Sequence, residues 1–233
     1  MKRLKDFIRN THLYGKLGPY LLHARGKLFD LKHGVRTCDG IRAVELRTYE
    51  IASSSAAFGN GYIGVDPKLF RRIFSNLDIN YEKMQFIDFG SGKGRALLLA
   101  SELPFRKIVG IELVPELHRI AEQNINRFKS SSQKCKDIEL VCVDAIHYPI
   151  PPVPAVFFIF NSFKEEVLAP VVTNIRRSLE EHPRDNLIVY FNPELEDILE
   201  RDWILKKIAS SRWYTIYSYI GSSLPPHAEE SVV

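Results

Sequence analysis

The sequence predicts an α/β fold in which a mostly parallel sheet is flanked by helices and preceded by an N-terminal helical extension. From Gln85 onward, apolar runs of strand length alternate with segments of helix length, which is typical of a parallel sheet covered on both faces. The 233 residues, 45% of them hydrophobic and 26% charged, suit one globular domain with a substantial core. Residues 1–36 place apolar side chains at helix-like spacings interrupted by Gly15, Gly18 and Pro19, which indicates two short helices.

The main fold is predicted to begin with a helix after Asp66 and Pro67, an N-cap followed by a proline at the first helical position. Five strands are then predicted at apolar runs, namely Phe86–Phe89, Ile108–Ile111, Ile138–Val143, Ala155–Phe160 and Leu187–Phe191. Helices are predicted between and after them at Arg95–Ser101, Glu116–Phe128, Lys164–Glu181 and Leu195–Glu200. Two further strand-like runs, Trp203–Ile208 and Tyr214–Ile220, are expected to form a closing antiparallel pair. We therefore expect an extension over 1–65, the main domain over 66–221 and a loose tail over 222–233.

The net charge of +4 is concentrated near the N-terminus, where residues 1–36 hold nine Lys or Arg against two Asp. Such an arm can attract nucleic-acid phosphates, although a solvated helical face is the commoner explanation. No apolar run approaches the roughly 18–20 residues that cross a bilayer, and the basic start lacks a secretory apolar segment. We expect a cytoplasmic protein with no membrane partner. No cysteine or histidine spacing predicts a metal site.

The segment FIDFGSGKGR places Gly90, Gly92 and Gly94 between an apolar strand and a helix. Glycine permits the unusual dihedral angles of a tight turn and a close approach of the backbone to a ligand. Arg95 stands where the dinucleotide-binding pattern G-x-G-x-x-G/A requires a small residue, and Gly94 stands where the phosphate loop G-x-x-x-x-G-K-[ST] requires a hydroxyl. NAD, FAD and nucleoside triphosphates are therefore disfavoured as ligands.

Glu112 ends the second predicted strand, 22 residues after Gly90. An acid at this position can accept hydrogen bonds from both hydroxyls of a ribose. The alternative is a surface acid at a strand end. The order of strand, glycine turn, helix, strand and acid favours a nucleoside site.

The stretch from Phe86 to Asn124 resembles class I S-adenosylmethionine-dependent methyltransferases, specifically a microbial subgroup with some likeness to the histone-lysine methyltransferases of Rossmann-like fold. The resemblance implies a seven-stranded Rossmann-like sheet, an enzyme that transfers a methyl group, and S-adenosylmethionine as its cofactor. It assigns Asp88 and Gly90 to the methionine end of that cofactor, and Glu112 to the ribose.

Further along the chain, VCVDAIHY resembles the family's adenine-contacting motif. The resemblance implies that Asp144 accepts from the exocyclic amine, that the Ala145 backbone lies beside the ring, and that Leu113 and Val114 form an apolar face. The full set of predicted cofactor-binding residues is Asp88, Gly90, Ser91, Gly92, Gly94, Glu112, Leu113, Asp144, Ala145 and Phe160.

The predicted end of the fourth strand faces the place where the methyl group leaves, since ligands lie outside the carboxyl ends of such strands. Related sequences resemble Asn-Pro-Phe or Asn-Pro-Pro-Tyr here, where carbonyl groups hold an acceptor nitrogen, whereas this chain has Asn161 followed by Ser162. The alternative role for Asn161 is an N-cap of the helix starting at Lys164. The predicted catalytic residues are Asn161, Phe163 and Tyr62.

The segment GYIGVD departs from the subgroup's Tyr-x-Pro-Thr-Pro pattern, whose hydroxyl contacts the methionine carboxylate. Tyr62 is retained, but Val65 replaces the threonine, so either a backbone N–H binds that carboxylate or cofactor affinity is weakened. The sequence favours a nitrogen-directed methyltransferase with a protein or small-molecule acceptor. The alternatives are a non-catalytic S-adenosylmethionine-binding or interaction module, suggested by Val65 and Ser162, and a nucleic-acid methyltransferase that uses the basic N-terminus.

Overall fold

The computed structural model describes residues 22–38, 62–160 and 163–221 of the chain. Its helices are α1 (22–33), α2 (Pro67–Ser75), α3 (Arg95–Ala100), α4 (Pro115–Arg127), α5 (Glu165–Glu181) and α6 (Glu196–Glu200). Its strands are β1 (Gln85–Phe89), β2 (Lys107–Glu112), β3 (Ile138–Cys142), β4 (Ala155–Phe160), β5 (Asn186–Phe191), β6 (Leu205–Ser211) and β7 (Tyr214–Tyr219). Short 3-10 turns lie at Tyr81–Lys83 and Ala145–His147.

The seven strands form one sheet in the order β3-β2-β1-β4-β5-β7-β6. Strands β1 to β5 pair in parallel, while β7 runs antiparallel to both β5 and β6. The predicted Rossmann-like, mostly parallel seven-stranded sheet is therefore confirmed. Strands β1 to β5 run parallel because each connection between them returns the chain to the same end of the sheet, through α3, α4 or α5 or, between β3 and β4, through the segment that contains the 3-10 turn Ala145–His147.

The closing antiparallel pair is present, but the predicted bounds of its first strand are wrong. β6 covers Leu205–Ser211, so Ser210 and Ser211, which were expected in the turn, pair with Thr215 and Tyr214. The register shifts between Lys207 and Ala209. A bulge of this kind breaks the alternation of apolar and polar residues from which strand bounds are predicted.

Two apolar layers cover the two faces of the sheet. Alternate residues of a strand point to opposite faces: Phe86 packs in one layer with Phe70 and Phe74 of α2, while Ile87 packs in the other with Val171 of α5. In the first layer the Phe70 and Phe74 ring centroids lie 4.3 Å apart. These layers fix the sheet and therefore the positions at which its strands end.

The N-terminal region is described in part. Residues 22–33 form helix α1, and its Phe29 stacks near Phe128 at the end of α4, with ring centroids 6.2 Å apart. Residues 1–21, 39–61 and 222–233 lie outside the described residues, so the predicted division of the chain at residue 65 stays a prediction. None of the helices that the structure describes is long and apolar enough to cross a membrane.

Candidate cofactor and active site

The carboxyl ends of the central strands lie at one edge of the sheet. Phe89 of β1 is in register with Ile111 of β2 and with Ile159 of β4, and β2 in turn pairs in parallel with β3. The predicted site residues on these strands and in the loops that follow them therefore meet at this edge. They include Asp88, Gly90, Glu112, Asp144 and Phe160.

The three glycines form a tight turn between β1 and α3. Gly90, Gly92 and Gly94 have φ angles of 78°, 54° and 82°, which lie in the left-handed region where glycine alone is unstrained. The N–H groups of Gly90 and Ser91 both donate to the Ile111 carbonyl at 2.9 Å. The turn is thus fixed to β2, and it presents its backbone at the sheet edge.

Glu112 connects the glycine turn to the loop after β2. Its carboxylate is buried and accepts hydrogen bonds from the N–H of Gly92 at 2.7 Å and from the N–H of Val114 at 2.8 Å. Burial raises the pKa of Glu112, although backbone hydrogen bonds, the strongest from Val114 and Gly92, oppose that rise. A carboxylate offers about four acceptor positions. Glu112 therefore keeps acceptor capacity for two hydroxyl groups while its orientation is fixed.

Asp88 is a second buried carboxyl group, one residue before the end of β1. Only 3% of the residue is exposed. Burial, together with the charge of the nearby Glu112, raises the pKa of Asp88 well above its usual range. A buried carboxyl group with a raised pKa, which forms no ion pair with a residue that the structure describes, is suited to a positively charged ligand group.

The residues predicted to contact adenine also lie at this edge. Asp144 is buried, and its side chain accepts from the N–H of Ile146 at 3.0 Å, which caps the 3-10 turn Ala145–His147. Ala145 is buried and Leu113 is half-buried. Since β3 lies beside β2, the turn that Asp144 caps is a neighbour of the Glu112 loop.

The predicted transfer site is described only at its two ends. Phe160 is half-buried, with its ring 5.2 Å from that of Phe191, and Phe163 is half-buried against the second apolar layer. Asn161 lies outside the described residues, and so does Ser162. Helix α5 has Lys164 as its N-cap, so the alternative role of Asn161 as that cap is not met.

Tyr62 covers the glycine turn. A Cβ atom added to Gly92 would lie 2.2 Å from a carbon of the Tyr62 ring, so the ring lies directly on the backbone of Gly92. The Tyr62 hydroxyl donates to the Thr37 carbonyl at 2.8 Å, and burial raises the pKa of the Tyr62 hydroxyl. These contacts disfavour a role for Tyr62 in proton transfer. They suit a side chain that forms one wall of the site. Val65 is buried in the first apolar layer.

Two residues, one within the glycine turn and one directly after it, were not predicted as site residues. Lys93 is 7% exposed, and its Nζ lies 5.3 Å from the centroid of the Tyr62 ring, within the range of a cation–π contact. Arg95 is 4% exposed and donates to Thr37. The partners of these two residues are distant in sequence. The only signal in the sequence was a cation within the glycine turn, Lys93, and a second one directly after it, Arg95.

No group of three or more His, Cys, Asp or Glu side chains within 22–38, 62–160 and 163–221 is arranged to hold a metal ion.

A family model described as "Histone methylation protein DOT1" matches residues 39–137. The match contains the glycine turn and Glu112, whose arrangement at the ends of β1 and β2 the structure shows. The chain is a class I S-adenosylmethionine-dependent methyltransferase. Because less than half of the chain is matched, the likeness to the DOT1 family itself stays a similarity. A comparison of the methyltransferase with curated proteins gives no significant match.

Several solved structures are similar to the methyltransferase. An RNA methyltransferase from Salinibacter ruber in complex with S-adenosyl-L-homocysteine is 19% identical, with 71% of this chain and 98% of that chain covered and a TM-score of 0.46. A precorrin-6y C5,15-methyltransferase from Geobacter metallireducens is 16% identical, with coverages of 74% and 95% and a TM-score of 0.48. TrmN from Thermus thermophilus is 15% identical, with coverages of 67% and 49% and a TM-score of 0.49. At these identities and scores, they say nothing about the acceptor of this methyltransferase.

Replacing Gly92 by alanine is expected to destabilise the methyltransferase. The loss should exceed the free-energy cost of placing alanine in a left-handed backbone conformation. A non-glycine residue with a left-handed backbone costs about 1–2 kcal/mol, and the new methyl group would also displace the Tyr62 ring. Gly34→Ala is the matched control, because Gly34 has a φ of 67° and nothing within 4 Å of an added Cβ. Urea denaturation should show a larger loss for Gly92→Ala than for Gly34→Ala. Equal losses would show that Tyr62 does not restrict this position.

Proposed function

We propose that the methyltransferase binds S-adenosylmethionine across the carboxyl edge of β1, β2 and β3 and transfers its methyl group to a nitrogen of a protein or small-molecule acceptor. The observation that carries the proposal is Glu112, whose buried carboxylate is held by the N–H groups of Gly92 and Val114 and is positioned to accept from a ribose. A plain surface acid at a strand end would be exposed and would not join two loops.

Charge complementarity supports this assignment at the methionine end. The cofactor carries a positive sulfonium and a protonated amine, and the edge presents the buried carboxyl groups of Asp88 and Glu112. Ser91 adds a buried hydroxyl oxygen with no hydrogen-bond partner among the described residues. Buried polar atoms without partners are rare in folded proteins, and a bound ligand is one way of satisfying them.

The transfer step requires alignment more than acid–base catalysis. The bound cofactor supplies a methyl group that its positive sulfur already activates. With that cofactor bound, the chemistry supplied would be transfer of the methyl carbon to the electron pair of the acceptor nitrogen, with the carbon–sulfur electrons kept by sulfur and the proton of the nitrogen passed to water. The protein must hold the nitrogen in line with the breaking bond and exclude other nucleophiles. We assign that role to Asn161 and Phe163, which follow β4.

A protein acceptor is supported by the description of the matching family model, which names histone methylation. Nucleic acid is the second candidate, favoured by a group of exposed cations at the junction of α1 and α4. The cations are Lys32, Arg36, Arg127 and Lys129. None of them forms an ion pair with another described residue. The junction is tight, since His33 Nδ1 lies 3.0 Å from the Lys129 carbonyl oxygen.

Transfer of a labelled methyl group from S-adenosylmethionine into fractionated cell lysate tests the proposal. We expect label in a fraction that is sensitive to protease, or in small molecules, and retention of the label after mild base, which removes methyl esters but not N-methyl groups. Asn161→Ala should bind the cofactor as the wild type does and transfer about 10- to 1,000-fold more slowly, the range expected when a positioning contact is lost.

Label that is released by nuclease and not by protease would replace the proposed acceptor with nucleic acid. Cofactor binding without label in any fraction would favour the non-catalytic module. Full transfer by Asn161→Ala would remove Asn161 from the reaction.

A further inference from the structure

Arg95 is a buried cation, although arginine side chains are mostly exposed in folded proteins. It is the first residue of α3, directly after the glycine turn, and only 4% of it is exposed. A cation in the first turn of a helix also opposes the helix dipole. The burial of Arg95 therefore has to be explained by its contacts with other parts of the chain.

Those contacts lie in the two segments that precede the main domain. Arg95 Nε donates to Thr37 Oγ1 at 2.7 Å, Nη1 donates to the Val65 carbonyl at 3.4 Å, and Nη2 lies 3.8 Å from Asp30 Oδ1. The Asp30 carboxylate in turn accepts from the N–H of Thr37 at 2.6 Å and from the N–H of Cys38 at 2.7 Å. One guanidinium thus links residues 22–38, residues 62–66 and α3.

Two glycines leave the space in which the guanidinium lies. A Cβ atom added to Gly26 would lie 2.8 Å from Arg95 Nη1, and one added to Gly64 would lie 2.6 Å from Arg95 Cζ. Glycine inside a helix such as α1 costs about 1 kcal/mol relative to alanine. The close approach of the planar guanidinium gives a physical reason for glycine at both positions.

The same contacts lead to the cofactor site. Thr37, which binds Arg95 through its hydroxyl, accepts from the Tyr62 hydroxyl through its carbonyl, and the Tyr62 ring lies on Gly92. A second attachment lies nearby, where the Asn124 side chain binds the backbone of both Arg36 and Lys93. The segment before the main domain is therefore held at two points that both adjoin the glycine turn.

We propose that Arg95 is a positioning residue that assembles the methionine end of the cofactor site by docking residues 22–38 and 62–66 and so holding Tyr62 against Gly92. The proposal rests on the function proposed above. When the segment is docked in only a fraction of molecules, the apparent affinity is the affinity of the docked form multiplied by that fraction. Arg95→Ala should therefore bind S-adenosylhomocysteine about tenfold or more weakly.

Chemical rescue distinguishes this role from a general loss of stability. Arg95→Ala leaves a slot between Gly26 and Gly64, so guanidinium chloride at about 10–50 mM, far below the molar concentrations that denature proteins, should restore much of the lost affinity. The same concentration of sodium chloride should not. Arg119→Ala removes an exposed arginine that pairs with Glu116 of its own helix, and this variant should bind as the wild type does.

Calorimetry with S-adenosylhomocysteine, with and without guanidinium, is the decisive measurement. Wild-type affinity in Arg95→Ala, or a loss that guanidinium does not reverse, would overturn the proposal. If Arg95→Ala does not fold, Gly64→Ala provides the same test because its methyl group would displace the guanidinium. It should bind weakly without rescue, and wild-type affinity there would also overturn the proposal.

Failure of the proposed function gives a different result, since the wild type itself would not bind S-adenosylhomocysteine. Amide hydrogen exchange then tests the docking without ligand. Arg95→Ala should increase exchange in residues 22–38 relative to Arg119→Ala, and equal exchange would overturn the docking role.

Discussion

Glu112→Ala is expected to weaken S-adenosylmethionine binding by at least about 100-fold, because two hydrogen bonds to a charged acceptor contribute about 1.5–3 kcal/mol each. The substitution also leaves the N–H groups of Gly92 and Val114 without the carboxylate that they share. The glycine turn and the loop after β2 would then lose the carboxylate that connects them.

The control for this prediction is Glu122→Ala, which removes an exposed carboxylate from α4. It should leave the dissociation constant unchanged. Calorimetry on both variants measures the effect, and thermal unfolding checks that each is folded. A folded Glu112→Ala variant with wild-type affinity would remove Glu112 from the cofactor site.

Asp88→Asn is expected to stabilise the ligand-free protein and at the same time to weaken cofactor binding. Burial raises the pKa of Asp88, so the folded state binds its proton more tightly than the unfolded chain does. The stability that Asp88 contributes is therefore complete below the unfolded pKa of about 3.9 and declines as the pH rises toward the folded pKa. A neutral asparagine of the same shape removes this cost at neutral pH, and the melting temperature should rise by on the order of a few degrees.

In the proposed site, the same change also removes the negative partner that Asp88 offers to the amine of the cofactor. Below about pH 7.7 that amine is protonated, so wild-type affinity should increase as the pH rises through the raised pKa of Asp88. The affinity of Asp88→Asn should be weaker and nearly independent of pH over that window. The exposed Asp78 provides the control substitution, Asp78→Asn, which should change neither property. A lower melting temperature for Asp88→Asn, or unchanged affinity, would contradict the account.

The sheet and the glycine turn that follows β1 could be predicted because their signals are local in sequence. Strands buried on both faces are continuous apolar runs, as in Ala155–Phe160, where the first five residues are all buried. The glycine turn requires a left-handed backbone at three positions, and that requirement appears directly in the amino-acid types. Glu112 follows from its place at the end of the next strand.

The remaining features depend on contacts between distant residues. Arg95 lies 58 residues from Thr37, so its sequence position argued only against a dinucleotide. Tyr62 was predicted to be catalytic from its motif, but its orientation depends on Thr37 and Gly92. The bulge in β6 likewise depends on pairing with β7, and β6 extends beyond its predicted end.

Calorimetric titration of the wild-type chain is the most direct test of the proposed cofactor binding. The ligands are S-adenosylhomocysteine and S-adenosylmethionine, with NAD as a comparison. We expect saturable binding of one molecule of either sulfur compound per chain and no binding of NAD, since Arg95 stands where the dinucleotide-binding pattern requires a small residue. Absence of binding by both sulfur compounds to the folded chain would contradict the proposed cofactor binding.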